Sequence, residues 1–130
     1  MDDVLARAPQ ATVGTGPADV PEITVSKTVN GAADGSEIFG LRVVATPGHT
    51  AGHVSLSEPS IGTLFVGDTA FNNNDKLTVI NPMFTEHATA ATAGFRRMAT
   101  IQGFERAMFG HGNPIEGGAA AAFARLAQTL

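Results

Sequence analysis

Three times in this sequence a short apolar run breaks off at a glycine, and the residues just past the break include histidine or aspartate. The three stretches are LRVVATPGHT (41–50), TLFVGD (63–68) and RAMFGHG (106–112). Each run is too short for a stable helix and is rich in β-branched or bulky apolar residues, so each reads as a strand. In the first, Pro47 fixes one turn position and Gly48 permits the next, which delivers His49 just past the strand end. In the second, Asp68 follows Gly67. In the third, His111 stands between Gly110 and Gly112, which allow the backbone to approach closely. If the three strand ends share one edge of a sheet, His49, Asp68 and His111 converge. Two imidazoles and a carboxylate suit zinc, with iron or manganese as alternatives.

The rest of the chain supplies a frame for that edge. The runs HVSLS and TLFVG flank Glu58-Pro59-Ser60-Ile61-Gly62, a length that suits an antiparallel hairpin. Such a hairpin brings His53 and Asp68 together at the end remote from its turn. A short helix is expected over residues 2–8, ended by Pro9. A brief strand follows in QATVGTGPADVPE and leads into a Gly/Pro-rich connection. ITVSKTVNGAADGSEIFGLRVVAT reads as strands separated by turns at Asn30-Gly31 and Asp34-Gly35. FNNNDKLTVINPMF reads as loop, because its Asn/Asp cluster favours turns. The spacing of Ala88, Ala91, Phe95 and Met98 predicts a helix within 85–100, with Arg96 and Arg97 near its C-terminal end. ERAMF is a further strand. A last helix begins at Glu116, with Ala119, Ala122, Phe123, Leu126 and Leu130 on one face. Strands, helix, strand and helix in this order indicate a mixed α+β or α/β layer structure.

Each polar residue has a structural reading beside the functional one. His53 opens a strand and can brace the turn or orient a ligand rather than bind metal itself. His87 falls in a helix first turn, where the dipole disfavours a cation, and reads as surface. Asp75 reads as a turn residue. Glu86 and Glu116 suit helix first turns for dipole reasons alone.

Composition narrows the partners. The net charge is −4, and the eight lysines and arginines form no basic stripe, so nucleic acid is not an expected partner. No apolar run reaches the length of a membrane span. The acidic start, MDDVLARAPQ, lacks the order of a secretory signal. With no cysteine there is neither a disulfide framework nor a thiolate metal site, which fits a cytoplasmic protein. Any metal must be held by His, Asp or Glu.

TPGHTAGHVSL, LFVGDTAF and MFGHGNPI, in this order, closely resemble the later motifs of the metallo-β-lactamase superfamily, most of all its glyoxalase II-like hydrolases. The resemblance implies an αββα-type sandwich of two mixed sheets with helices outside and an active site at one sheet edge. It also implies that His49 ligates one metal, His111 a second, and Asp68 bridges them, while His53 is not usually a direct ligand. The family's earlier His-x-His-x-Asp-His motif has no counterpart here, since no histidine precedes His49. The chain therefore resembles the C-terminal half of such a hydrolase: a single partial domain, linker-like over 1–36 and motif-bearing over 37–130. The expected activity is metal-dependent hydrolysis of a small-molecule ester, thioester, lactone or related bond. The missing ligands would come from a homodimer partner or a complementing N-terminal half. The alternative is a non-catalytic half-domain, either an interaction or binding module or a vestigial product. The stretch around Asn72–Phe84 is expected to form a pocket wall.

Overall fold

A computed structural model describes residues 1–80 and 82–130; Asn81, within the stretch expected to be loop, lies outside the described residues. The chain runs α1 (Asp2–Arg7), β1 (Val13–Thr15), β2 (Val29–Gly31), β3 (Glu37–Ile38), β4 (Leu41–Ala45), β5 (Val54–Glu58), β6 (Thr63–Gly67), β7 (Ala70–Asn73), β8 (Lys76–Val79), α2 (Ala88–Met98), β9 (Arg106–Phe109) and α3 (Ala119–Ala127).

The centre is a five-stranded mixed sheet in the order β3-β4-β5-β6-β9. Strands β3 to β6 are antiparallel neighbours, and β9 lies parallel to β6. A parallel pair cannot be closed by a tight turn, so the connection from β6 to β9 passes through the β7–β8 hairpin and α2. Since β4 and β6 both run opposite to β5, the C-terminal ends of β4, β6 and β9 lie at one edge of the sheet.

One sheet face carries Val44, Leu64, Val66 and Ala107, packed against Phe95 and Phe123 of the two long helices. Phe123 stacks on Phe95 at 4.9 Å and meets Phe104 edge-on at 5.4 Å, both favourable aromatic geometries. On the opposite face the register aligns Val43, Leu56, Phe65 and Met108 in one row. Val43 is buried there, and residues of the parallel β1–β2 ribbon share a hollow with Leu41, Val54 and Leu56. Phe65, farther along the row, is 37% exposed.

Several expectations are corrected. FNNNDKLTV is not loop: Ala70–Asn73 and Lys76–Val79 pair antiparallel, joined by Asn74 and Asp75. Both residues have positive φ, 50° and 61°, as a two-residue primed turn requires, and Asn and Asp tolerate that region. Asn30-Gly31 is not a turn but part of β2, whereas Gly35 does turn, with φ 74°. The Gly/Pro connection forms a 3-10 helix over Pro17–Glu22. Glu86 and Glu116 precede their helices, which start at Ala88 and Ala119, because His87 and Gly118 occupy the N-cap positions. His87 is exposed, and Leu130 lies beyond α3 and is also exposed. Among the described residues no helix is long and apolar enough to cross a membrane.

Candidate metal centre

The shared edge of β4, β6 and β9 brings His49, Asp68 and His111 together. Oδ2 of Asp68 lies 3.8 Å from Nε2 of His49, and Oδ1 lies 3.5 Å from Nε2 of His111. The carboxylate thus stands between two imidazoles, one facing each oxygen. The His49 and Asp68 side chains are each 32% exposed, while that of His111 is 83% exposed. Among the described residues no three His, Cys, Asp or Glu side chains close on a single point to cage an ion. That follows from the arrangement, because the two histidines approach opposite oxygens of one carboxylate.

His49 has a fixed proton. Its Nδ1 lies 2.7 Å from the carbonyl oxygen of Phe84, and a carbonyl can only accept. The neutral ring therefore carries hydrogen on Nδ1 and presents a bare Nε2 lone pair toward Asp68. Among the described residues Asp68 Oδ1 is buried without a hydrogen-bond partner, an unfavourable state that a cation would relieve. The bare His49 nitrogen faces one carboxylate oxygen across 3.8 Å and His111 Nε2 stands 3.5 Å from the other, a donor set that fits a metal in kind.

His53 is engaged differently. Its Nε2 accepts the main-chain N–H of Asp68 at 2.9 Å. Its Nδ1 lies 2.9 Å from Thr46 Oγ1, which is 3.0 Å from Ser55 Oγ, which donates to the Val66 carbonyl at 2.8 Å. The last acceptor orients the whole series: Ser55 donates to Val66, Thr46 to Ser55, and His53 Nδ1–H to Thr46. Both ring nitrogens are occupied, and His53 positions Asp68 through its backbone. Burial pushes the His53 pKa below 6.5; the Asp68 charge opposes this and that of His49 adds to it.

Glycines clear the space. A Cβ at Gly110 would overlap Asp68 Oδ1, and one at Gly67 would fall 2.6 Å from His53 Nε2. Gly67 has φ 66° and sits where the β6–β9 register slips, so the bulge re-aims the chain into Asp68. The His111 loop is tied to β7 through Asn72, whose main-chain carbonyl accepts Asn113 N–H at 2.7 Å and whose Nδ2 donates to the Asn113 carbonyl at 3.1 Å. The His49 turn is clamped from a residue that sequence reasoning missed. Asp19 accepts Thr50 Oγ1–H at 2.5 Å and Gly52 N–H at 2.6 Å. No local signal in GPADVPE marks that role, since both partners are more than thirty residues away.

A cleft of about 470 Å³ opens beside the cluster, walled by Phe71, Ile80 and Phe84. The stretch Asn72–Phe84 thus contributes to a pocket wall.

A family model for the metallo-beta-lactamase superfamily matches residues 2–111. The chain belongs to that superfamily. Proteins of known structure share its fold. TTHA1623, solved in a di-iron-bound form, superposes with a TM-score of 0.72 at 23% identity, over 98% of this chain and 69% of its own. ST1585, an archaeal superfamily protein from Sulfolobus tokodaii, gives 0.70 at 16% identity, over 98% and 60%. At these identities the likeness speaks to the fold alone. A hydroxyacylglutathione hydrolase of Brucella anthropi is 50% identical over 42 residues, 29% of this chain but only 16% of that enzyme. This superfamily member therefore spans a small part of its curated relative.

Proposed function

We propose that this chain contributes His49, Asp68 and His111 to the metal site of a hydrolase acting on an ester, thioester, lactone or related small-molecule bond. The carrying observation is the Asp68 carboxylate between two imidazoles, with Oδ1 buried and, among the described residues, unpartnered, and the His49 Nε2 lone pair bare. Zinc, iron and manganese all suit such donors. The di-iron form of TTHA1623 keeps iron among them, and the Brucella relative keeps thioesters among the substrates. When bound, such a metal lowers the pKa of water and polarises a carbonyl.

Each side of Asp68 offers one imidazole and one carboxylate oxygen, short of the roughly three protein ligands a catalytic zinc takes. We assign the remaining ligands to a second copy of the chain or to a complementing N-terminal half. The chain's own residues hold Asp68 through His53, hold His49 through Phe84 and Asp19, and leave the cleft for substrate.

The test is elemental analysis of protein purified without chelator or histidine tag. Stoichiometric zinc, iron or manganese, lost in Asp68→Ala, supports the reading. No bound metal in excess zinc, both for the chain alone and with a complementing N-terminal half added, overturns it. It would leave a non-catalytic interaction module, which the partly uncovered row at Phe65 favours.

A further inference from the structure

The β7–β8 hairpin has two unlike faces. Ala70 and Asn72 point into the fold and are buried. Phe71 and its pair Thr78, and Asn73 and its pair Lys76, alternate to the other side. There Phe71 joins Ile80 and Phe84 as the wall of the cleft at His49, Asp68 and His111. Phe84 is 67% exposed, and with Phe71 and Ile80 it presents apolar surface to the cleft.

Phe84 is also fixed relative to the polar cluster. Its carbonyl accepts His49 Nδ1–H at 2.7 Å, and the next residue, Thr85, donates Oγ1–H to the Gly48 carbonyl at 2.6 Å. One short segment therefore sets the His49 tautomer and holds an apolar ring beside it. Among the described residues no lysine or arginine lines this cleft. Lys76 lines an adjoining hollow, next to the hairpin turn.

We infer that the cleft takes a neutral acyl compound, its apolar chain against Phe71, Ile80 and Phe84 and its carbonyl beside Asp68. The place of the carbonyl rests on the hydrolase reading; the place of the chain rests on the cleft wall alone. Among the described residues the wall of Phe71, Ile80 and Phe84 offers the far end of the chain no lysine or arginine, so it selects against an acyl group ending in a carboxylate, since that charge would lose its hydration without a partner.

The test is an NMR titration of the full chain, with and without added zinc, using three unreactive amides: octanamide, acetamide and the monoamide of octanedioic acid. Octanamide is expected to bind at least about ten-fold more tightly than the other two, since each buried methylene adds to affinity, and to shift the amide signals of Phe71, Ile80 and Phe84. Phe84→Ala keeps the carbonyl that holds His49, so it should weaken octanamide about ten-fold or more without changing the metal content. Equal binding of octanamide and acetamide, or preference for the acid through Lys76, overturns the inference. So does undiminished octanamide binding in Phe71→Ala/Phe84→Ala. Selective octanamide binding by protein that fails the metal test above leaves the apolar subsite standing without the hydrolase reading. Loss of the chain-length preference in metal-loaded protein does the reverse.

Discussion

The main-chain N–H of Asp68 donates to Nε2 of His53, and this bond decides which of two neighbouring histidines is free to act as a donor. His49 and His53 stand four residues apart in TPGHTAGH, with ring centroids 6.1 Å apart. Only His49 keeps a lone pair for the cleft. Replacing His53 by alanine leaves the Asp68 N–H without its acceptor and takes from the Thr46 hydroxyl the donor it accepts from, while its bond to Ser55 remains. The expected loss is about 1–3 kcal/mol of stability, with zinc affinity falling about 10–100-fold because Asp68 is no longer held. Urea unfolding and a competitive zinc titration read the two effects separately. Full zinc affinity in a folded His53→Ala protein would rule out the bracing role.

The same histidine gives stability a pH dependence. Burial holds the folded His53 pKa below 6.5, so between that value and 6.5 the unfolded chain binds more protons than the folded one. Stability is therefore fully present above 6.5 and is lost as pH falls through that window. Asp34, held below 3.8 chiefly by Arg97, adds a loss only in the more acidic range. Urea midpoints at about pH 7.5 and about pH 5.5 isolate the histidine. The wild type should be the less stable at the lower pH, and His53→Gln should flatten the difference.

Gly110 owes its place to Asp68. A side chain there would enter the space of Oδ1, and on the other side lies the Gly67 carbonyl, which accepts Gly110 N–H at 3.0 Å. Gly110→Ala should cost about 1–3 kcal/mol through overpacking and turn the carboxylate away from His111. Calorimetric zinc binding should weaken at least about ten-fold, since the carboxylate's geometry is what the site supplies. A variant that binds zinc as the wild type does would show that Oδ1 is not used.

Asp19 should behave as a tether of the His49 turn. Asp19→Ala removes two hydrogen bonds to a charged acceptor, so a loss of about 1.5–3 kcal/mol is expected. Asp19→Asn keeps the shape and should recover part of it. Thermal unfolding gives the size, and broadening of the His49 ring signals in NMR would place the loosening at the turn. If those signals stay sharp in Asp19→Ala, the clamp serves stability alone.

What could be read from the sequence was local. The Pro47-Gly48 turn, the 58–62 hairpin loop and the 3.6-residue spacing of Ala91, Phe95 and Met98 each depend on neighbours in the chain, and each stands as expected. The β7–β8 hairpin was hidden by its own composition. Asn72 takes an inward position where an apolar residue would have marked a strand, and it is buried because it ties down the His111 loop. The polar run that looked like loop contains the αL pair of a tight turn. The Phe84–His49 bond and the Asp19 clamp join residues 35 and more than thirty positions apart, and nothing local encodes them.

His49, Asp68 and His111 hang from three different strands, two of them joined in parallel across a crossover that includes a hairpin and a helix. No subset of the sheet can hold the three together, so partial opening at any of these strands disperses the cluster. Metal held on either side of Asp68, against His49 or against His111, would then stabilise the domain as a unit, by mass action on its global unfolding equilibrium. Amide hydrogens in β4, β6 and β9 would slow in exchange together, rather than at the loops alone.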